Sequence, residues 1–157
     1  MSGFSIPRVA VPAVLRLAQG GERHGKVFLA ERVPQHTGHE TPLEMLNRHE
    51  AFFPFRPDDN GTVLLVTKAL TVTLAVPREV AGDDPARASA AKLVALDVAF
   101  ADGSNLSGWA HVELPEHHSR LLDYLNAAPE PFFAVMSTEQ ETHFVNRAHV
   151  LYARPRE

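Results

Sequence analysis

The chain has 157 residues, 45% of them hydrophobic, with fifteen Lys and Arg against nineteen Asp and Glu for a net charge of −4. That is apolar content for one ordinary domain or two very small ones, and the wrong charge balance for a surface that must neutralise phosphates. The absence of cysteine rules out a disulfide framework and a thiolate nucleophile.

No run of eighteen apolar residues is present, and the opening MSGFSIPRVAVPAVL lacks the basic-then-apolar order of a secretory signal, so the expectation is a cytoplasmic protein without membrane contact. Twelve Arg to three Lys is a bias common in GC-rich bacterial genomes. A bacterial source follows as an expectation.

Residues 1–12 read as an N-terminal extension. LRLAQGGERHGKVFLAE, residues 15–31, places an apolar run, a Gly-rich turn and alternating apolar residues in succession, the pattern of a hairpin. After the loop VPQHTGH, Thr41 can cap a short helix that has Pro42 at its first position and Glu44 in its first turn. AFFPF, the turn RPDDNG, TVLLVTK and LTVTLAV then give three short strands.

The stretch REVAGDDPARASAA has no apolar periodicity, and residues 80–91 within it read as a linker. Beyond it the same order returns. KLVALDVAF, the turn ADGSN and LSGWAHVEL predict a hairpin, and RLLDYLN predicts a two-turn helix capped by Ser119 with Leu121, Leu122 and Leu125 on one face. PFFAVMS, THFVN and HVLYARP supply three more strands. Trp109, Phe132 and Phe133 fall inside apolar strand patterns and are assigned to the core.

The two halves also share wording. LEMLNRHEAFF (43–53) matches LLDYLNAAPEPFF (121–133), pairing Leu43 with Leu122, Asn47 with Asn126 and Phe52-Phe53 with Phe132-Phe133; both halves also close on Pro-Arg-Glu, at Glu79 and Glu157. An internal duplication is therefore expected, with units 13–79 and 92–157. The predicted fold class is mainly β with short helices: two tandem five-stranded small-barrel repeats, each with a short helix between strands two and three. Units of this size bury marginal cores, which favours their packing together.

With Gly20 and Gly25 in the first hairpin, Gly103 and Gly108 in the second, and Asn146-Arg147-Ala148 as a closing turn, each unit resembles the Sm-like small β-barrel family. That resemblance implies a barrel topology and assembly through strand edges. The family's uridine pocket does not carry over, because Leu114 and His118 stand where its Asp and Asn belong and the closing turn lacks its Gly. The unit 92–157 holds five cations and nine anions, a balance that also argues against nucleic acid.

Catalytic signatures are missing: there is no Gly-x-Ser-x-Gly, no His-Glu-x-x-His, and GGERHGK has Val27 where a phosphate loop needs Ser or Thr, so it reads as a hairpin turn. No enzyme and no cofactor are expected. Nine histidines include His36 and His39 before the first helix and His117 and His118 before the second, which could meet as a metal site only if those loops come together. The bland alternative is a pair of solvated turns.

The expected function is a non-enzymatic protein-binding or assembly module of a bacterial cytosol. Its alternatives are an RNA-binding Sm-like protein and a protein that binds a metal or another ligand through its histidines. Partner-binding candidates lie in turns where the halves differ: Arg56, Asp58, Asp59, Lys68, Asn146 and Arg147. Strand edges left free by the tandem arrangement could also pair with another copy of the chain.

Overall fold

A computed structural model of the chain describes residues 7–19, 21–82, 92–112, 121–127, 130–137 and 140–156. Alternation in RVAVPAVLRL buries Val11, Ala13 and Leu15 on one face of strand β1 (Arg8–Leu17). β1 turns back through Gly21, at φ +71°, into β2 (Glu22–Ala30), so residues 21–26 of GGERHGK lie in a hairpin, while Gly20 lies outside the described residues. Because β1 begins at Arg8, residues 8–12 of the expected N-terminal extension belong to the strand.

Helix α1 (Pro42–Asn47) is only two turns long and is fastened at its start. The Glu44 N–H donates to Thr41 Oγ1 at 3.1 Å and the Thr41 N–H donates to Glu44 Oε1 at 2.8 Å, a reciprocal pair that satisfies two otherwise orphaned amides. β3 (Phe52–Pro57), β4 (Leu64–Thr67), a single 3-10 turn (Lys68–Leu70) and β5 (Thr71–Pro77) follow, and a one-turn helix α2 (Arg78–Ala81) enters the expected linker.

The second half repeats the order. It contains β6 (Lys92–Phe100), β7 (Asn105–Val112), α3 (Leu121–Ala127), β8 (Phe132–Met136), β9 (Glu141–Asn146), a 3-10 turn (Arg147–His149) and β10 (Val150–Pro155). The cap expected at Ser119 and most of the linker lie outside the described residues. Strand, strand, short helix and three strands therefore hold in both halves.

What differs is how the strands close. All ten form one antiparallel sheet in the order β10-β6-β7-β8-β9-β5-β1-β2-β3-β4, with β10 and β4 at its open ends. Two separate closed barrels are not formed. A strand has two hydrogen-bonding edges, and β5 uses one on β1 and the other on β9, so it is not available to close a barrel with β4.

Within that sheet the halves match position for position. Each has a bulge at the same place: the register skips Val72 between β1 and β5, and Leu151 between β6 and β10. Each has a close-approach glycine on its second strand. A Cβ on Gly25 would run into the Arg56 carbonyl oxygen, and one on Gly108 into the Met136 carbonyl oxygen.

These registers correct three sequence expectations. Val14 lies opposite His24 and Asp97 opposite Ser107, each partner just before a close-approach glycine, while Ala75 pairs with Val14 and Arg154 with Asp97. Pro155 therefore corresponds to Val76, and the shared Pro-Arg-Glu is one residue out of structural step. Leu122 is exposed because it sits about 100° around α3 from Leu121, whose face is continued by Tyr124 and Leu125. Trp109 faces outward between the buried Gly108 and Ala110, with the Arg156 guanidinium 5.5 Å from its ring.

Two cores result, and neither belongs to one half. The first gathers Leu15, Val27, Leu29, Met45, Leu46, Phe53 and Phe55, and takes in Phe132 and Phe144 from the second half. The second gathers Leu96, Val98, Phe100, Phe133 and Val135, and takes in Val72 from the first. Among the described residues no helix is long and apolar enough to cross a membrane.

Candidate functional site

The feature that most constrains function is the seam where β9 meets β5, with rungs from Thr73↔Val145 to Pro77↔Glu141. Phe132 opens β8, and its N–H donates to Asn47 Oδ1 at 2.9 Å while Asn47 Nδ2 donates to its carbonyl at 3.2 Å. The α1 amide thus grips both main-chain groups of one residue in the other half. Asn146 ends β9 and is buried; its Nδ2 donates to the carbonyls of Lys68 (3.2 Å) and Thr71 (3.0 Å), and its Oδ1 accepts from the Ala148 N–H at 3.0 Å. A His149 ring nitrogen completes the seam 2.7 Å from the Ala69 carbonyl.

Four of the six partner candidates from sequence are therefore engaged within the chain. Beyond Asn146, Lys68 is buried and its Nζ donates to the carbonyls of Met45 (2.8 Å) and Arg48 (3.1 Å) at the end of α1, where a cation offsets the helix dipole. Burial pushes its ammonium below the usual lysine value and the nearby Arg48 adds to this, against Glu50 and Glu40. Arg147 does the same work in the second half: its guanidinium donates to the carbonyls of Leu125 and Glu130, both at 2.9 Å, and lies 4.8 Å from the Phe133 ring. Asp58 is exposed but sits 3.5 Å from Lys26 Nζ.

The remaining two are surface groups: Arg56 lies over the Phe28 ring at 5.4 Å and Asp59 projects from the exposed turn between β3 and β4.

The histidines before α1 are occupied locally. His36 Nε2 is 2.8 Å from Glu44 Oε1 and its Nδ1 is 2.8 Å from the Thr37 carbonyl, while His39 Nδ1 is 2.6 Å from the Glu40 carbonyl. Burial raises the Glu44 carboxyl, but the Thr41 N–H and the His36 ring outweigh that and hold it below the usual range. His117 and His118 lie outside the described residues. Among the described residues no three His, Asp or Glu side chains are grouped to hold a metal ion.

The ends of the sheet contrast with the seam. β4 presents Leu65, which is 73% exposed, and beside it on β3 is Phe52 at 55%. At the other end β10 presents Leu151 and Tyr152, both exposed. Sequence reasoning missed Leu65, Phe52 and Leu151 as surface residues, because each sits in an apolar strand pattern that normally reports burial.

The seam also contains a titrating group. His143 on β9 sits opposite Ala75 of β5, and burial holds its imidazole below the usual value near 6.5; Glu141 and Glu22 oppose this and Arg16 reinforces it. The unfolded chain then binds this proton more readily than the folded one. Stability is full above about pH 6.5 and falls as pH drops through the window below it. We expect thermal unfolding followed by circular dichroism to show a lower Tm at about pH 5.5 than at about pH 7.5, and His143→Leu to remove part of that slope. An unchanged slope in the variant would assign the pH dependence to other groups.

No family model, curated protein or solved structure matches this chain. The reading of function therefore stands on the chain's own geometry.

Proposed function

We propose that the chain is a non-enzymatic protein-binding or assembly module that takes a partner strand onto the open edge at β4. The observation that carries this is the outer edge of β4, unpaired among the described residues, with Leu65 exposed on β4 and Phe52 exposed beside it on β3. A free edge offers a row of main-chain donors and acceptors, and two adjacent apolar side chains give it a surface that water solvates poorly.

β4 is short, at four residues, but among the described residues its edge carries Leu65 rather than a Lys and no bulge turns it away. The Sm-like reading and the internal duplication are part of the same proposal. They are supported by the shared element order, the matched bulges and the matched close-approach glycines at Gly25 and Gly108.

Recovery of tagged full-length chain from its native host tests the proposal. A protein partner recovered in stoichiometric amount with the wild type is expected to be lost with Leu65→Asp and kept with the exposed-site control Arg23→Ala. Identical recovery with wild type and Leu65→Asp would remove β4 as the docking edge. No binding of oligouridylate is expected at about 50 mM salt, where backbone contacts are strongest; affinity there would favour the RNA-binding alternative.

A further inference from the structure

We propose that the partner taken by the β4 edge is a second copy of this chain, whose β10 pairs with β4 head to tail as β5 pairs with β9 within one chain. The inference rests on the assembly reading above and names its partner. Within one chain, the seam joins an inserting set from the second half to a receiving set from the first. Each member has a counterpart in the other half, and those counterparts lie exposed at the two ends of the sheet.

The inserting set is Phe132 and Phe144. Phe132 opens β8 as Phe52 opens β3, and Phe144 pairs with Ala134 as Leu65 pairs with Pro54. Phe132 and Phe144 are each 2% exposed, because the first half covers them, whereas Phe52 and Leu65 have no such cover.

The receiving set is Asn47, Leu43 and β5. Asn47 holds the Phe132 main chain; Asn126, at the matching place on α3, is exposed and its side chain makes no hydrogen bond among the described residues. Leu43 packs against the first core, while its counterpart Leu122 is exposed. Val72 and Thr73 are buried, while their counterparts Leu151 and Tyr152 are exposed. One chain thus carries a free amide grip at one end and a free Phe-first strand at the other.

Transferring the seam register places Tyr152 opposite Val66 and Ala153 opposite Leu65, as Thr73 and Leu74 face Val145 and Phe144. Asn126 then reaches the Phe52 main chain, and Phe52 and Leu65 pass under α3 beside Leu122. Charge agrees, since the end of β10 that carries Arg154 and Arg156 comes beside the turn holding Asp58 and Asp59.

One rung is missing. The Arg156 N–H donates to the Ala95 carbonyl, so by strand alternation the Pro155 nitrogen faces the free edge, where it has no proton to give. Val76 supplies that donor in the internal seam. The contact between chains is correspondingly weaker and reversible, and because its two faces differ it can propagate from chain to chain.

Sedimentation of the full-length chain over about 1 μM to about 1 mM tests this, since mass action reveals a reversible contact. The wild type is expected to rise above its monomer mass of 17.3 kDa, and Leu65→Asp and Tyr152→Asp to stay at it. Each variant keeps one sound edge, so a mixture of the two is expected to form a one-to-one dimer and grow no further. A variant that had merely failed to fold could not do this. Pro155→Val restores the missing donor and is expected to raise affinity roughly two- to tenfold.

Three results would overturn the inference. Wild type that stays monomeric throughout removes self-pairing alone, and leaves β4 as a docking edge for another protein, read by the Leu65-dependent recovery experiment. Association that ignores both Asp variants places the self-contact on another surface, and again leaves β4 to the Leu65-dependent recovery experiment. Association that Pro155→Val leaves unchanged, or variants that do not complement, place the contact off this register.

Discussion

Phe144→Ala is expected to destabilise the fold by about 3–5 kcal/mol, the usual cost of emptying a fully enclosed aromatic site. The ring belongs to the second half but fills the first core, packed in the same cluster as Leu74, Val76 and Phe132. Its loss opens a cavity at the seam and exposes the packing on which both halves depend. Urea denaturation at low micromolar concentration measures the effect, and one cooperative transition is expected, moved as a whole to lower urea.

The counterpart variant Leu65→Ala, which removes a side chain from solvent, is expected to stay within about 0.5 kcal/mol of wild type under the same conditions. A loss below about 1 kcal/mol for Phe144→Ala would mean that the halves do not share a core.

Gly108→Ala is expected to cost on the order of 3 kcal/mol, through a different cause. The added methyl would collide with the Met136 carbonyl oxygen and with Val135 Cγ1, and the backbone atom cannot swing aside as a side-chain tip can. β7 and β8 would have to separate where they meet, beside the rung Trp109↔Met136. Gly25→Ala faces the Arg56 carbonyl and Phe55 ring in the same way, so the two losses are expected to agree within about 1 kcal/mol.

Gly103→Ala separates packing from conformation. Gly103 has open space around it and φ +92°, so its substitution is expected to cost only the left-handed backbone penalty of about 1–2 kcal/mol. Equilibrium denaturation of the three variants checks the set. A Gly108→Ala loss no larger than that of Gly103→Ala would count against the close strand approach.

Much of this fold was legible in the sequence because it is decided locally. Thr41, Pro42 and Glu44 announce α1 through a cap that spans four residues, and the β-branched, apolar run KLVALDVAF matches β6 residue for residue. Gly25 and Gly108 are legible as the second glycines of the two hairpins, and both sit where a neighbouring strand leaves no room for a Cβ. The candidate site was less legible. Asn47 and Asn126 were matched as a pair, but nothing near either residue says that one grips another strand while the other is left in solvent.

The sequence by itself thus determined the element order, the cap at Thr41, the hairpin turns and the places where strands must run close, since each depends on residues a few positions apart. Only the tertiary structure decided that ten strands form one open sheet, that Asn146 and Lys68 serve its interior, and that the first members of the two Phe-Phe pairs meet opposite fates. Phe132 is buried and Phe52 exposed because β9 finds β5 on its outer edge while β4 finds no strand there among the described residues. A strand's own residues specify two edges of equal hydrogen-bonding capacity, and which neighbour occupies each is a long-range choice that local pattern does not encode.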